Sequence, residues 1–377
     1  MDDTLSDFFF YGTLRHLPLL QIVLGREDDT LEYEAARLAD HGVFQVADTP
    51  FPHFAAAAGC NSSGILVRGI TDEETARLRF CEGGFDFELR PVSVALEDGV
   101  STYASVFFPT TQQAPTSEPW SFDDWARNWS KISVISAREV MAWYGRKTPA
   151  EISVSFPGIR RRASAFVAGQ KRAPDPEWDL SQDVIVAAHH HPYTKFFSLQ
   201  EIDVQMRQFD GHMSDVLNRA AILVGEAAVV LPYDPLRDCV MLVEQFRAPV
   251  FMAGDPAPWI WEPIAGLLEP GEAAETAVRR EALEEAGLTL GRLEPAGEMY
   301  SSTGSSTEYL YLFVGFADLG GDVTGMGGTD EGEDIRSKVI GYEELMQGID
   351  AGLYKDMPLV TTALWLARHR ERLRTSA

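Results

Sequence analysis

Short apolar runs separated by turn residues fill positions 7–110: Asp7–Tyr11, Gly64–Val67, Arg90–Ala95 and Thr102–Phe108. Runs of this kind predict strands, and the stretch Asp72–Phe80 predicts a helix among them, so this part reads as strand-dominated α+β. Phe8-Phe9-Phe10-Tyr11, stopped by Gly12, reads as a buried strand entering a turn. The polar stretch Thr110–Pro119 offers nothing to pack and predicts a boundary without regular structure. Ser121 then opens a helix with capping-box character. Its apolar positions Phe122, Trp125, Ala126, Trp129, Ile132, Val140, Met141 and Tyr144 bury one face, and Gly145 is its expected C-cap. Gly158–Gln170 predicts a second helix, and Lys171–Asp179, with two prolines, a linker.

From Tyr193 the pattern changes. Phe196–Phe209 and Leu217–Gly225 predict strands, and Ala227–Pro232 with Cys239–Phe246, joined by Tyr233–Asp238, predicts a hairpin. A Gly/Pro/Glu loop at 266–271 precedes a strong helix, Ala273–Ala286. A strand Tyr309–Phe316, a Gly-rich acidic loop Gly320–Asp334 and a closing helix Val360–Leu373 follow. The expected organisation is a domain at 1–115, a helical connector at 116–190 and a second domain at 191–377.

Composition narrows the chemistry. A chain of 377 residues, 45% apolar and 24% charged, has material for two or three cores, which excludes a largely disordered chain. Lys+Arg number 32 against 57 Asp+Glu, a formal charge of −25. That field repels phosphate backbones, so no nucleic-acid partner is expected, and an anionic substrate needs cations or local arginines to hold it. Cys60, Cys81 and Cys239 are too few and too scattered for a disulfide framework or a zinc site, and a reducing cytoplasm is the simplest setting. No segment approaches roughly 18 apolar residues, so no membrane span is expected. The acidic start Met1-Asp2-Asp3-Thr4 lacks a signal pattern.

The most informative stretch is Gly266–Leu288, GLLEPGEAAETAVRREALEEAGL. Glu281, Glu284 and Glu285 stand at i, i+3 and i+4, so a helix presents them on one face. Their repulsion is costly unless a hard divalent cation relieves it, and Mg²⁺ suits both carboxylates and diphosphate oxygens. Glu272, Glu275 and Arg280 are candidates for ion pairs that orient those ligands. The bland alternative is a surface Glu/Arg helix. Against it stand seven fixed positions, whose chance match in such a chain is on the order of one in a million at ordinary residue usage.

The pattern resembles the Nudix box, GX5EX7REUXEEXGU, with Ala282 at the bulky-apolar position as a mild departure. The resemblance implies a Nudix α/β/α sandwich with a mixed sheet. It implies hydrolysis of a nucleoside diphosphate linked to another moiety, metal held by Glu281, Glu285 and the backbone of Ala265, and Glu284 in support. Val243–Arg247, Trp261–Gly266 and Gly328–Arg336 look like the bacterial ADP-ribose pyrophosphatase subfamily, which the chain resembles from about Tyr193 onward. That implies ADP-ribose as substrate, AMP and ribose 5-phosphate as products, Mg²⁺ with Mn²⁺ as alternative, and a homodimer with exchanged N-terminal strands. In the subfamily the loop Gly320–Asp334 delivers the base, so Glu331 is the expected general base and Glu333 a further metal ligand, with exchanged roles open. A merely solvated acidic loop is the other reading. Arg247 is a candidate phosphate clamp or a structural ion pair. Phe196-Phe197 could stack on adenine, line a dimer interface or simply fill a core.

Near the start, Phe10-Tyr11-Gly12-Thr13-Leu14-Arg15, Gly64–Gly69 and Leu78–Phe87 look like the γ-glutamylcyclotransferase-like family, a small β-barrel with helices. Gly12 lets backbone approach a ligand, and the amides of Gly12, Thr13 and Leu14 suit a carboxylate. Glu82 lies at that family's acid/base position. Where the family usually carries a tyrosine, the chain reads Val106-Phe107-Phe108. A domain that supports dimerisation or regulates the hydrolase is the alternative. The two resemblances together are similar to bacterial tellurite-resistance Nudix proteins, although three scattered cysteines cannot form a tellurium site. His189–His191 could bind a soft metal, but adjacent histidines at a linker edge are usually solvated.

Overall fold

The computed structural model describes residues 5–26, 31–47, 49–83, 87–110, 115–320, 326–327 and 334–375. It divides into two compact units, Met1–Ser198 with Gln205–Asp215, and Leu199–Val204 with Val216–Ala377.

The first unit runs β1 (Ser6–Phe10), α1 (Leu17–Leu24), β2 (Tyr33–Val46), β3 (Pro52–Ile70), α2 (Asp72–Glu82), β4 (Phe87–Leu96), β5 (Ser101–Pro109), β6 (Pro115–Pro119), α3 (Phe122–Met141), α4 (Pro149–Gly169), α5 (Leu180–Asp183) and β7 (Val184–Thr194). The order β3-β1-β5-β4-β2, closed by β3–β2 pairing, makes a five-stranded barrel, and β6 adds to β2. β1 explains its uninterrupted apolar run. Phe8 and Phe10 face the cluster that holds Leu20, Leu78 and Trp125, while Phe9 and Tyr11 face the one with Leu66, Val94 and Val106. A strand covered on both sides has no polar alternation to show.

Several expectations are corrected here. Thr110–Pro119 is not devoid of regular structure, because β6 pairs with β2 through Phe44↔Pro119 and Val46↔Pro115. The second helix begins at Pro149, where Thr148 and Glu151 form a full capping box, and it carries Pro157 inside. Helix α3 ends at Met141, so Gly145 (φ 73°) serves the following turn. The histidine triplet lies within strand β7, not at a linker edge.

After β8 (Ser198–Met206) and β9 (Leu217–Leu223) come β10 (Glu226–Asp234), β11 (Cys239–Phe246), α6 (Ala248–Met252), β12 (Trp259–Glu262), β13 (Ile264–Leu267), α7 (Ala274–Ala286), β14 (Leu293–Tyr300), β15 (Tyr309–Phe316), β16 (Met326–Gly327), β17 (Ile335–Gly341), α8 (Tyr342–Asp350) and α9 (Met357–Thr375). The sheet order is β14-β15-β10-β11-β17-β16, with β12 on β11 and β13 on β10. β10 and β15 are parallel and the other pairs antiparallel, so the sheet is mixed. The predicted hairpin is present, and Asp234 closes its turn by accepting from the Leu236 and Arg237 N–H groups at 2.9 and 3.0 Å.

Alternation along β10 and β11 builds two layers. Ala228, Val230, Met241 and Val243 pack against Ala277, Val278 and Ala282 of α7, while Leu231, Tyr233, Val240 and Leu242 pack against α8 and α9 through Leu345, Leu359 and Leu366. The result is an α/β/α sandwich around a fully buried sheet centre. Leu242 is 0% exposed. Replacing it with alanine is expected to destabilise this unit by about 2–5 kcal/mol, read as a lower midpoint in urea with an unchanged slope.

Candidate active site

The loop after β13 delivers the chain into α7, which stops at Gly287 (φ 60°), the left-handed position that glycine adopts without strain. Arg280 is the hub of this loop and helix. Its Nε and Nη2 donate to Glu272 Oε1 and Oε2 at 3.1 and 3.0 Å. Its Nη1 donates to Glu281 Oε1 at 2.6 Å and Glu284 Oε2 at 3.1 Å, and its Nη2 also reaches the Leu267 carbonyl at 3.3 Å. Burial alone would raise the Glu272 carboxyl, but the Arg280 guanidinium and the Glu269 N–H outweigh it and hold the carboxyl below its usual range. The Arg280 guanidinium is itself held above its ordinary value, first by Glu272. Of the predicted orienting pairs, Glu272 and Arg280 meet, whereas Glu275 is exposed.

The three helix carboxylates do not share one environment. Glu285 is buried at 5% exposure, the Glu281 side chain is 14% exposed, and the Glu284 side chain is 51% exposed. Glu281 lies against β13: a Cβ on Gly266 would stand 1.8 Å from Glu281 Oε1. Only a glycine leaves that space, so the carboxylate is seated beside the Ala265–Gly266 backbone. A carboxylate held against strand backbone, with a second carboxylate buried one turn on, is the oxygen-donor chemistry that hard divalent cations take. Among the described residues no three His, Cys, Asp or Glu side chains are gathered as a metal cluster. Glu331 and Glu333 lie outside the described residues.

Arg247 follows β11 as the N-cap of α6 and is locked to Glu262 of β12, its Nε donating at 3.0 and 2.9 Å and its Nη2 at 2.6 Å. The structural ion pair is therefore formed, with the arginine side chain still 36% exposed. Two residues here escaped the reading of the sequence. Glu262 lay inside the resembling stretch Trp261–Gly266 but was given no role, although a charge in a short apolar run signals a buried pair. Asp356, half-buried ahead of α9, gave no local signal. Burial pushes its carboxyl up to about 6, opposed by the Leu359 N–H, with the Glu262 charge raising it and Arg247 lowering it.

In the first unit, Gly12 joins β1 to a 3-10 turn, Thr13–Arg15, and Leu14 points into the core. Tyr11 stacks on Phe54 with ring centroids 3.9 Å apart and donates its hydroxyl to the Phe107 carbonyl at 2.9 Å. A tyrosine hydroxyl thus reaches the 106–108 strand from β1. Glu82, the last residue of α2, is half-buried, and burial pushes its carboxyl up to about 7. Burial, and then the Glu82 charge, raises the Tyr11 phenol. Phe196 and Phe197 are both exposed, at 61% and 38%, which corrects the simple-core reading.

A loop carrying Gly266 and Gly271 thus feeds a helix of carboxylates, tied by one arginine and packed on a mixed sheet. Residues 224–357 match the NUDIX domain model, and residues 8–127 match that of gamma-glutamyl cyclotransferase, AIG2-like. The chain is 37% identical over 193 residues to an ADP-ribose pyrophosphatase of Escherichia coli (strain K12), covering 51% of this chain and 91% of that protein. It is 33% identical over 197 residues to the ADP-ribose pyrophosphatase of Haemophilus influenzae, covering 52% and 91%. It is 31% identical over 166 residues to a GDP-mannose pyrophosphatase of Enterobacter sp. (strain 638), covering 43% and 83%. The chain belongs to the Nudix family and is a Nudix pyrophosphohydrolase, with a γ-glutamylcyclotransferase-like domain in front.

The Gly266 seat has a direct consequence. Gly266→Ala is expected to expel the Glu281 carboxylate and lower kcat roughly tenfold or more while the circular dichroism spectrum stays native. Unchanged kcat would remove the seat from the account.

Proposed function

We propose that the second unit hydrolyses ADP-ribose, or a closely related nucleoside diphosphate sugar, to AMP and ribose 5-phosphate. The observation that carries this reading is the Glu281 carboxylate seated on Gly266 with Glu285 buried beside it on the same helix. The identity to ADP-ribose pyrophosphatases supports the substrate choice over GDP-mannose. Glu281 and Glu285, with the Ala265 backbone, would hold Mg²⁺ or Mn²⁺, Glu333 adding a ligand and Glu284 supporting them. The bound cation supplies charge neutralisation for diphosphate oxygens and acidity for water. Glu331 takes the proton from the water that attacks phosphorus. Arg247, held rigid by Glu262, binds a phosphate oxygen.

The homodimer and the association with tellurite resistance rest on resemblance alone. A cytoplasmic setting is supported by three free thiols, Cys60, Cys81 and Cys239. Among the described residues no helix is long and apolar enough to cross a membrane.

Incubation with ADP-ribose and Mg²⁺ is expected to release AMP and ribose 5-phosphate, and Glu285→Gln to lose roughly 100-fold or more of that rate with the fold intact. Turnover of another nucleotide sugar with no AMP from ADP-ribose would overturn the substrate. Near wild-type activity in the variant would overturn the metal site.

A second reading belongs to the front domain. Glu82, with a carboxyl pushed up to about 7 near Tyr11, has the protonation range of a general base for γ-glutamyl cyclisation. A base works deprotonated, so 5-oxoproline release from γ-glutamyl peptides should rise as pH passes upward through about 7 and vanish in Glu82→Gln. Absence of 5-oxoproline across such peptides would leave the domain a regulatory or dimerisation module.

A further inference from the structure

Residues 128–223 fall under neither of the two family models, and strand β7 lies within them. Side chains alternate along a strand, so His189 and His191 share one face and His190 takes the other. The His189 and His191 rings stand 4.5 Å apart between centroids, tilted by 31°. Two imidazoles that share one ion, each nitrogen about 2.1 Å from it, have centroids roughly 4.5–5.5 Å apart. His191 is half-buried, and its Nδ1 is enclosed without a hydrogen-bond partner. An enclosed ring nitrogen of that kind commonly marks the place of a water or an ion.

We propose that His189 and His191 form a two-imidazole chelate for a divalent transition-metal ion of the nickel, copper and zinc class, separate from the Nudix carboxylates. Ligand type supports this class, since imidazole suits these ions whereas Mg²⁺ prefers oxygen. Protonation supports it too. Burial first, and the His189 charge second, hold the His191 ring below the usual imidazole range, so its lone pair is available at neutral pH. Glu139 of α3 opposes that shift and attracts a cation. Its carboxylate is fixed by buried Arg162, with Nη2 donating at 2.6 Å, and by Thr194 Oγ1 at 3.1 Å. Arg146 acts the other way: its Nη2 donates to the His191 carbonyl at 2.8 Å, and its guanidinium stacks on the Trp143 ring at 4.3 Å. Among the described residues no third His, Cys, Asp or Glu completes the set, so solvent fills the remaining positions and moderate affinity follows.

The test is calorimetric titration of the full chain with NiCl₂ in excess MgCl₂, which saturates oxygen ligands without competing for imidazole. One equivalent of Ni²⁺ is expected to bind the wild type and His190→Ala alike. His189→Ala and His191→Ala should each weaken it roughly tenfold or more, with unchanged circular dichroism. Equal binding by the wild type and the His189→Ala/His191→Ala double variant overturns the proposal, as does no binding at all. Loss in His190→Ala equal to that in His191→Ala overturns the same-face geometry.

Discussion

One guanidinium holds the site together. Arg280 bonds at once to the loop acid Glu272, the helix acids Glu281 and Glu284, and the Leu267 carbonyl. Without a fixed cation there, the acids of one helix turn would repel each other, and the loop would lose its tie to the helix. The fork geometry matters as much as the charge, because one planar group reaches acids from two segments. A lysine carries the same charge but cannot span them.

The sheet makes that tie useful. Strands β10 and β11 are apolar at every position along their centre, and alternate side chains serve opposite layers. The carboxylate helix therefore rests on a surface backed by α8 and α9 and has little freedom to shift. In the first unit β1 follows the same logic, with Phe8 and Phe10 on one side and Phe9 and Tyr11 on the other. In both units a central strand is covered by apolar side chains on both faces.

What could be read from the sequence was local. The hairpin 227–246, the carboxylate helix and the closing helix each announced themselves through turn residues or helical spacing inside one short window. The barrel was expected only through the family resemblance of the first 110 residues, because its closure depends on β2 meeting β3, which no local pattern marks. Strand β6 was hidden for a related reason: a polar segment with proline at both ends is tolerated at an edge, where its backbone needs few partners. Strand β7 shows mostly exposed positions, so no alternation of apolar and polar residues marks it. Within the site, helical spacing placed three glutamates on one stripe, but a stripe has width. Packing assigned its inner margin to Glu285 and its outer margin to Glu284. The Gly266 seat needed three dimensions, since nothing in a sequence says which glycine faces which acid.

The alanine at the bulky-apolar position of the carboxylate helix also takes on meaning in the fold. Ala277 and Ala282 are both 0% exposed and both meet the sheet. Small side chains at that contact act as a thin shim between helix and sheet, and the shim's thickness sets how far Glu281 and Glu285 stand from the β13 backbone. The position of these carboxylates is thereby coupled to methyl-scale volume in an apolar layer that never touches solvent. The chain has a mechanical adjustment for the placing of its helix acids, made from residues with no polar atoms in their side chains.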